Sequence, residues 1–207
     1  MNNQIKETYD LLNNEILWIC LRWKLFKQIY GSKENVELIN EFAPVTFKFF
    51  QDSSFDMIIL SINRLLDSPS TFGNDNLSLS RLKLMIEDEE CDDLKEELQN
   101  LYDSIKKDCT NLKELRNKRI GHNDLESKKS NYELLSGVSR KKIDNILDNI
   151  YTFMNTISGH FYETEYHYDF VGSEGEDGKR LIKHLKTLKK LKQDQKLNAG
   201  NSHITCD

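Results

Sequence analysis

The sequence predicts an all-α fold: a helical bundle with a short extended segment and a C-terminal basic helix. Three observations predict it. Apolar residues recur at alternating steps of three and four along most of the chain, the period of a helix with one buried face. Only two prolines interrupt 207 residues, while Leu, Ile, Lys and Glu are abundant. A hydrophobic fraction of 38% is enough for a core, and 30% charged residues supply the opposite faces.

The first helix is the clearest. Ile5, Tyr9, Leu12, Ile16, Ile19, Trp23, Phe26 and Tyr30 form one seam, and Gly31 ends it. A second helical region runs from about Val36 towards Leu66, started or bent by Pro44. Its later face carries Phe55, Ile58, Ile59, Ile62, Leu65 and Leu66. Residues 67–76 contain Pro69, Gly73 and small polar side chains, which predicts a loop. Ser78 or Ser80 caps a short helix through Ile86. The acidic run Glu87 to Asp93, interrupted only by Cys91, suits a helix start, where carboxylates complement the dipole.

One long helix is then expected to carry Leu94, Leu98, Leu101, Ile105, Leu112 and Leu115 on one stripe. Another, from about Arg140 to Phe161, buries Ile143, Ile146, Leu147, Ile150, Met154 and Ile157. The aromatic segment Tyr162 to Val171 is extended or a short strand. These elements make a helical domain over residues 1–171, followed by a linker at 172–178. Residues 179–197 form a basic amphipathic helix, with seven Lys or Arg and no acid between Lys179 and Lys192. Residues 198–207 are a disordered tail.

A net charge of −5 argues against a general nucleic-acid coat protein, though its distribution matters more than its sum. No signal peptide is visible, and no apolar run approaches the roughly 20 residues that span a bilayer. Cys20, Cys91, Cys109 and Cys206 are scattered without a Cys-x-x-Cys pair, as in a reducing cytosol. No metal-ligand spacing and no glycine-rich phosphate loop occur, so no cofactor is implied. His160 and His167 flank Tyr162, Tyr166 and Tyr168. For that patch a packed surface or dimer contact outweighs base stacking.

Chemistry concentrates at Arg116-Asn117-Lys118-Arg119-Ile120-Gly121-His122, followed by Asn123-Asp124. A helix turns about 100° per residue, which places Arg116 and Arg119 on the apolar stripe of the long helix. An unpaired buried charge is expensive, so these arginines need carboxylates, a partner subunit or a phosphate. Asp56, Asp67 and Asp124 are the candidate ion partners of Arg116. The pairing of residue types has a chemical logic. Imidazole moves a proton near neutral pH, and guanidinium stabilises the charge that builds on a phosphate in a transition state.

Arg-Asn-x4-His at the end of a helix, within an all-helical chain, resembles the HEPN superfamily (higher eukaryotes and prokaryotes nucleotide-binding). Phe55-Asp56 through Arg64-Leu65-Leu66-Asp67, then Gly73-Asn74-Asp75-Asn76-Leu77-Ser78-Leu79, is similar to the AbiU-type abortive-infection branch of that superfamily. So is the wording from Leu115 to Asp124. The resemblance covers roughly residues 5 to 165 and implies a HEPN-like bundle that dimerises, with two Arg…His motifs across a shared cleft. It further implies metal-independent RNA cleavage by the 2′-hydroxyl, leaving a 2′,3′-cyclic phosphate. Arg116 would stabilise the scissile phosphate and His122 would act as general base or acid. Asn117 would orient the motif, and Lys118 and Arg119 would bind flanking phosphates. Some HEPN toxins carry Tyr two residues after the His, a site of modification by a partner enzyme. Here that position is Asp124, which would instead orient His122 and raise its pKa.

The leading expectation is a cytoplasmic homodimeric endoribonuclease, a toxin or abortive-infection effector with RNA as substrate and an antitoxin protein as possible partner. The alternative is a catalytically silent HEPN module that binds and regulates a toxin–antitoxin or defence system. A purely structural helical scaffold is a third reading, which leaves two seam arginines unexplained.

Overall fold

A computed structural model of the chain describes residues 2–87, 92–121, 138–168 and 176–201, apart from the side chains of Arg119 and of residues 196–201. Its α-helices are α1 (Asn3–Tyr30), α2 (Lys33–Phe42), α3 (Pro44–Leu65), α4 (Leu79–Glu87), α5 (Asp92–Asp108), α6 (Thr110–Leu115), α7 (Arg140–Tyr162) and α8 (Asp177–Asn201). A π-helical turn, Arg116–Gly121, follows α6 directly, and a two-residue hairpin, β1 (Ser70–Thr71) with β2 (Asn74–Asp75), precedes α4. The all-α expectation therefore holds. The contacts divide the chain into two units: residues 1–20 with 56–170, and residues 21–55 with 171–207.

In the first unit, the early seam of α1 is buried as its period requires: Ile5, Tyr9, Leu12 and Ile16 are inaccessible to solvent. So are Ile58, Ile59 and Ile62 of α3. Helix α5 packs against α7 and against α4. Ser78 begins α4, its hydroxyl accepting the Arg81 N–H at 3.2 Å, and Ser139 caps α7 in the same way through the Lys142 N–H. After α7, residues 163–168 form no strand; they lie along the helix instead. Asn155 holds them by a two-point bond, donating to the Tyr166 carbonyl at 3.0 Å and accepting its N–H at 2.9 Å.

Three expectations need correction. The single helical region from Val36 to Leu66 is two helices. The residue before a proline is disfavoured in the α region; accordingly Ala43 leaves it (φ −155°, ψ 72°), and Pro44 opens α3 where its missing N–H is harmless. The loop at 67–76 contains a hairpin, whose central residues Phe72 and Gly73 both have positive φ (50° and 81°), the pattern of a type I′ turn. The long helix from Leu94 to Leu115 is interrupted. At Cys109 the chain leaves α geometry (φ −81°, ψ 1°), and the Thr110 hydroxyl donates to the Lys107 carbonyl at 2.7 Å. Along that stretch Tyr102, rather than Leu101, occupies the buried stripe, one residue and so about 100° away.

Cys109 is 2% exposed, and burial pushes its thiol up to about 12, with the Asp108 carboxylate adding to the effect. The unfolded thiol ionises near its ordinary value of 9.0. Between these values the unfolded chain loses a proton that the native chain keeps, so stability falls as pH rises from about 9 towards 12. Cys109→Ala is expected to flatten that part of a urea-midpoint-against-pH profile. An unchanged slope would remove Cys109 as its source.

In the second unit, Tyr30 of α1, Leu38 and Ile39 of α2, and Ile182 and Leu185 of α8 form one buried cluster, bordered by Phe26, Phe42 and Phe47. The basic helix α8 buries Ile182 and Leu185 and lies on α2. Acids meet its cations there: Lys186 reaches Glu34 at 2.7 Å and Lys189 reaches Glu41 at 2.6 Å. The Lys186 ammonium holds the Glu34 carboxyl below its ordinary range. Lys192 sits over the Phe42 ring at 4.7 Å. Gly178 permits the close start of α8, since a Cβ there would stand 2.7 Å from the Gln28 Cβ. Among the described residues no helix is long and apolar enough to cross a membrane.

Candidate functional site

Of the two sequence blocks that carry the resemblance, Asp56–Leu79 and the described part Leu115–Gly121 both fall in the first unit. Leu112 and Leu115 of α6 are fully buried, which fixes the rotation of this short helix. The chain then widens into the π-helical turn Arg116–Gly121. Such turns place one extra residue per hydrogen-bonded ring and are frequent at functional sites.

Arg116 opens this turn. It does not continue the buried stripe: its side chain is 35% exposed. Its guanidinium Nη1 lies 3.7 Å from Asp67 Oδ1, with the Asp67 side chain similarly open. Of the proposed partners, Asp67 is the one found among the described residues; Asp56 lies half-buried on α3, and Asp124 lies outside those residues. At this distance and exposure the pair contributes about 0–1 kcal/mol, so it orients the arginine without locking it.

Asp67 is itself well anchored. Its N–H donates to the Arg64 carbonyl at 3.2 Å, and its carbonyl accepts the Ser80 hydroxyl at 2.6 Å. Ser80 in turn shares a hydrogen bond of 2.9 Å with the fully buried Ser78. The end of α3 and the start of α4 therefore hold the backbone of the residue whose carboxylate faces Arg116.

Asn117 and Lys118 are exposed. The Lys118 ammonium is hydrogen-bonded to Glu114, one turn back. Arg119 lies in the π-helical turn, but its side chain is not among those described. His122 and Asp124 lie outside the described residues. Sequence reasoning missed Asn63, which is 4% exposed on α3 and donates to the Ile59 carbonyl at 2.8 Å and the Leu112 carbonyl at 3.2 Å. The available signal was an amide flanked by Ile59, Ile62 and Leu66 on an otherwise apolar face.

The aromatic patch near His167 is partly consumed by packing. Tyr168 is 3% exposed, stacks on Tyr151 at 4.5 Å, and donates its hydroxyl to Asn13 Oδ1 at 2.7 Å. Burial raises its pKa well above the ordinary tyrosine value. Tyr166 and His167 line an open cleft with Asp148, Tyr151, Asn155 and Glu165. Among the described residues no group of three or more His, Cys, Asp or Glu is placed to hold a metal ion.

The helical fold defines the class: an all-α, HEPN-like bundle. A family model described as AbiU2, of the HEPN type, matches residues 3–181. The chain belongs to the HEPN AbiU2 family, an abortive-infection-associated HEPN domain. No curated protein and no solved structure matches it.

Proposed function

We propose that this protein is a metal-independent endoribonuclease of the HEPN type, acting in the cytoplasm as a toxin or abortive-infection effector. The observation that carries the reading is Arg116: a partly exposed guanidinium at the head of a π-helical turn, held by a loose carboxylate. A phosphate offers two oxygens in the fork geometry that guanidinium prefers. It would displace the single oxygen of Asp67 at little cost. Arg116 would then stabilise the charge on the scissile phosphate, and His122, six residues on in sequence, would move the 2′-hydroxyl proton. Asn117 would orient the motif, Lys118 and Arg119 would contact flanking phosphates, and Asp124 would orient His122. Two copies of the chain would bring two such motifs to one cleft, and an antitoxin protein would restrain them.

The second reading, a catalytically silent HEPN module with a binding or regulatory role, is favoured by the same ion pair, since an arginine already matched by Asp67 needs no phosphate. Incubating purified protein with labelled tRNA and mRNA in EDTA separates the two. Cleavage that leaves 2′,3′-cyclic phosphate ends supports the nuclease. Intact RNA across varied substrates, from a folded dimer by light scattering, supports the binding module. A monomer at micromolar concentration removes the composite cleft.

A further inference from the structure

We propose that Asn63 is a positioning residue for Arg116, acting through the carbonyl of Leu112. The consequence for cleavage rests on the nuclease reading above; the positioning itself does not.

The connection is direct. At the end of α6 the Leu112 carbonyl accepts the backbone N–H of Arg116, which is shared with the Lys113 carbonyl. The Leu112 carbonyl also accepts the side-chain amide of Asn63, which comes from a different helix. Both acceptor positions of one oxygen are thereby used, and the backbone origin of Arg116 is tied to α3. The Asn63 nitrogen also donates to the Ile59 carbonyl, so its amide plane is fixed by two main-chain oxygens at once.

An amide buried among isoleucines is costly unless hydrogen-bonded. An apolar side chain would fill the space without that cost, but would leave the second acceptor position of Leu112 unused and α6 free to slide along α3. The same stretch of chain acts again four residues later. Asp67, in the turn after α3, faces the guanidinium. Asn63 thus sets where the Arg116 side chain starts, and Asp67 sets where it points.

The test uses the full-length chain as Asn63→Ala and Asn63→Asp, beside Ile62→Val. Asn63→Asp keeps the volume and removes the amide donor. Ile62→Val trims a fully buried neighbour on α3 that is not bonded to the Leu112 carbonyl. Hydrogen exchange of the Arg116 amide, referred to amides within α7, reads the positioning. RNA cleavage at a temperature where each variant is folded reads the consequence. Asn63→Ala is expected to speed Arg116 exchange at least about tenfold relative to α7, and to lower kcat at least about tenfold with KM within about twofold. Ile62→Val is expected to change neither.

If Asn63→Asp does not fold, Asn63→Ala against Ile62→Val still decides the matter. Arg116 exchange in folded Asn63→Ala equal to that in Ile62→Val overturns the proposal, as does an equal kcat in the two where the wild type cleaves RNA. If the wild type cleaves nothing, the nuclease reading fails by itself. The exchange measurement then decides whether Asn63 positions Arg116.

Discussion

Alanine in place of Arg116 is expected to lower kcat/KM for RNA cleavage by about 10²–10³-fold, the usual effect of deleting one preorganised donor to a developing oxyanion. Lysine at this position keeps the charge and loses the planar fork, so it restores only part of the rate. His122→Ala is expected to cost about 10²–10⁴-fold, as for a lost general acid or base. Asp67→Asn runs the other way. The pair it breaks is open and 3.7 Å long, so stability changes by less than about 1 kcal/mol, and a freed guanidinium lowers KM. Time courses on one labelled RNA in EDTA measure all four. Cleavage by Arg116→Ala at the wild-type rate would take Arg116 out of the mechanism.

The largest stability effect is expected at Phe153. It is fully buried on α7, the helix that packs against α5. Phe153→Ala is expected to destabilise the protein by about 3–5 kcal/mol, combining lost transfer energy with a cavity that its neighbours only partly fill. Urea unfolding followed by circular dichroism measures this. A loss below about 1 kcal/mol would mean that the site collapses around the smaller side chain. Since whole domains are stable by only about 5–15 kcal/mol, the variant also tests how much of the fold depends on this contact.

Much of the architecture was legible from period and punctuation. The seam from Ile5 to Tyr30 is a local property: each residue reports its own burial through its spacing to the next. Ser78, one of the two serines read as a cap, announces a helix start because a cap needs only the next turn. Pro44 is legible as punctuation, but whether a proline bends a helix or ends one depends on the φ and ψ of the residue before it. Ala43 resolves that only in three dimensions.

The candidate site was legible as chemistry and not as geometry. Arg116 was recognisable as an arginine in need of a partner, and Asp67 was among the acids named. Choosing between Asp56 and Asp67 required knowing how α3 lies against α6. The π-helical turn left no trace, because it is a pattern of backbone bonds and no residue type demands it. Placing Arg116 by a uniform 100° step put it on the buried stripe. The interruption at Cys109 and the altered winding after Leu115 bring it instead to a half-open position. Asn63 escaped notice for a related reason. Its apolar neighbours mark it as buried, but its partner is 49 residues away along the chain, and nothing local says which carbonyl it bridges to.

The pairing of α8 with α2 bears on how the molecule is made. Lys189 and Glu41 are 148 residues apart in the chain. A ribosome adding about 5–20 residues per second needs roughly 7–30 s to cover that interval. Through that time Leu38, Ile39 and Phe42 exist without the Ile182 and Leu185 that later cover them. The nascent chain therefore carries these apolar side chains, edged by Glu34 and Glu41, without their later cover during synthesis. Any chaperone or binding partner that recognises this surface has a window in which to act, and α8 closes that window by competing for the same face.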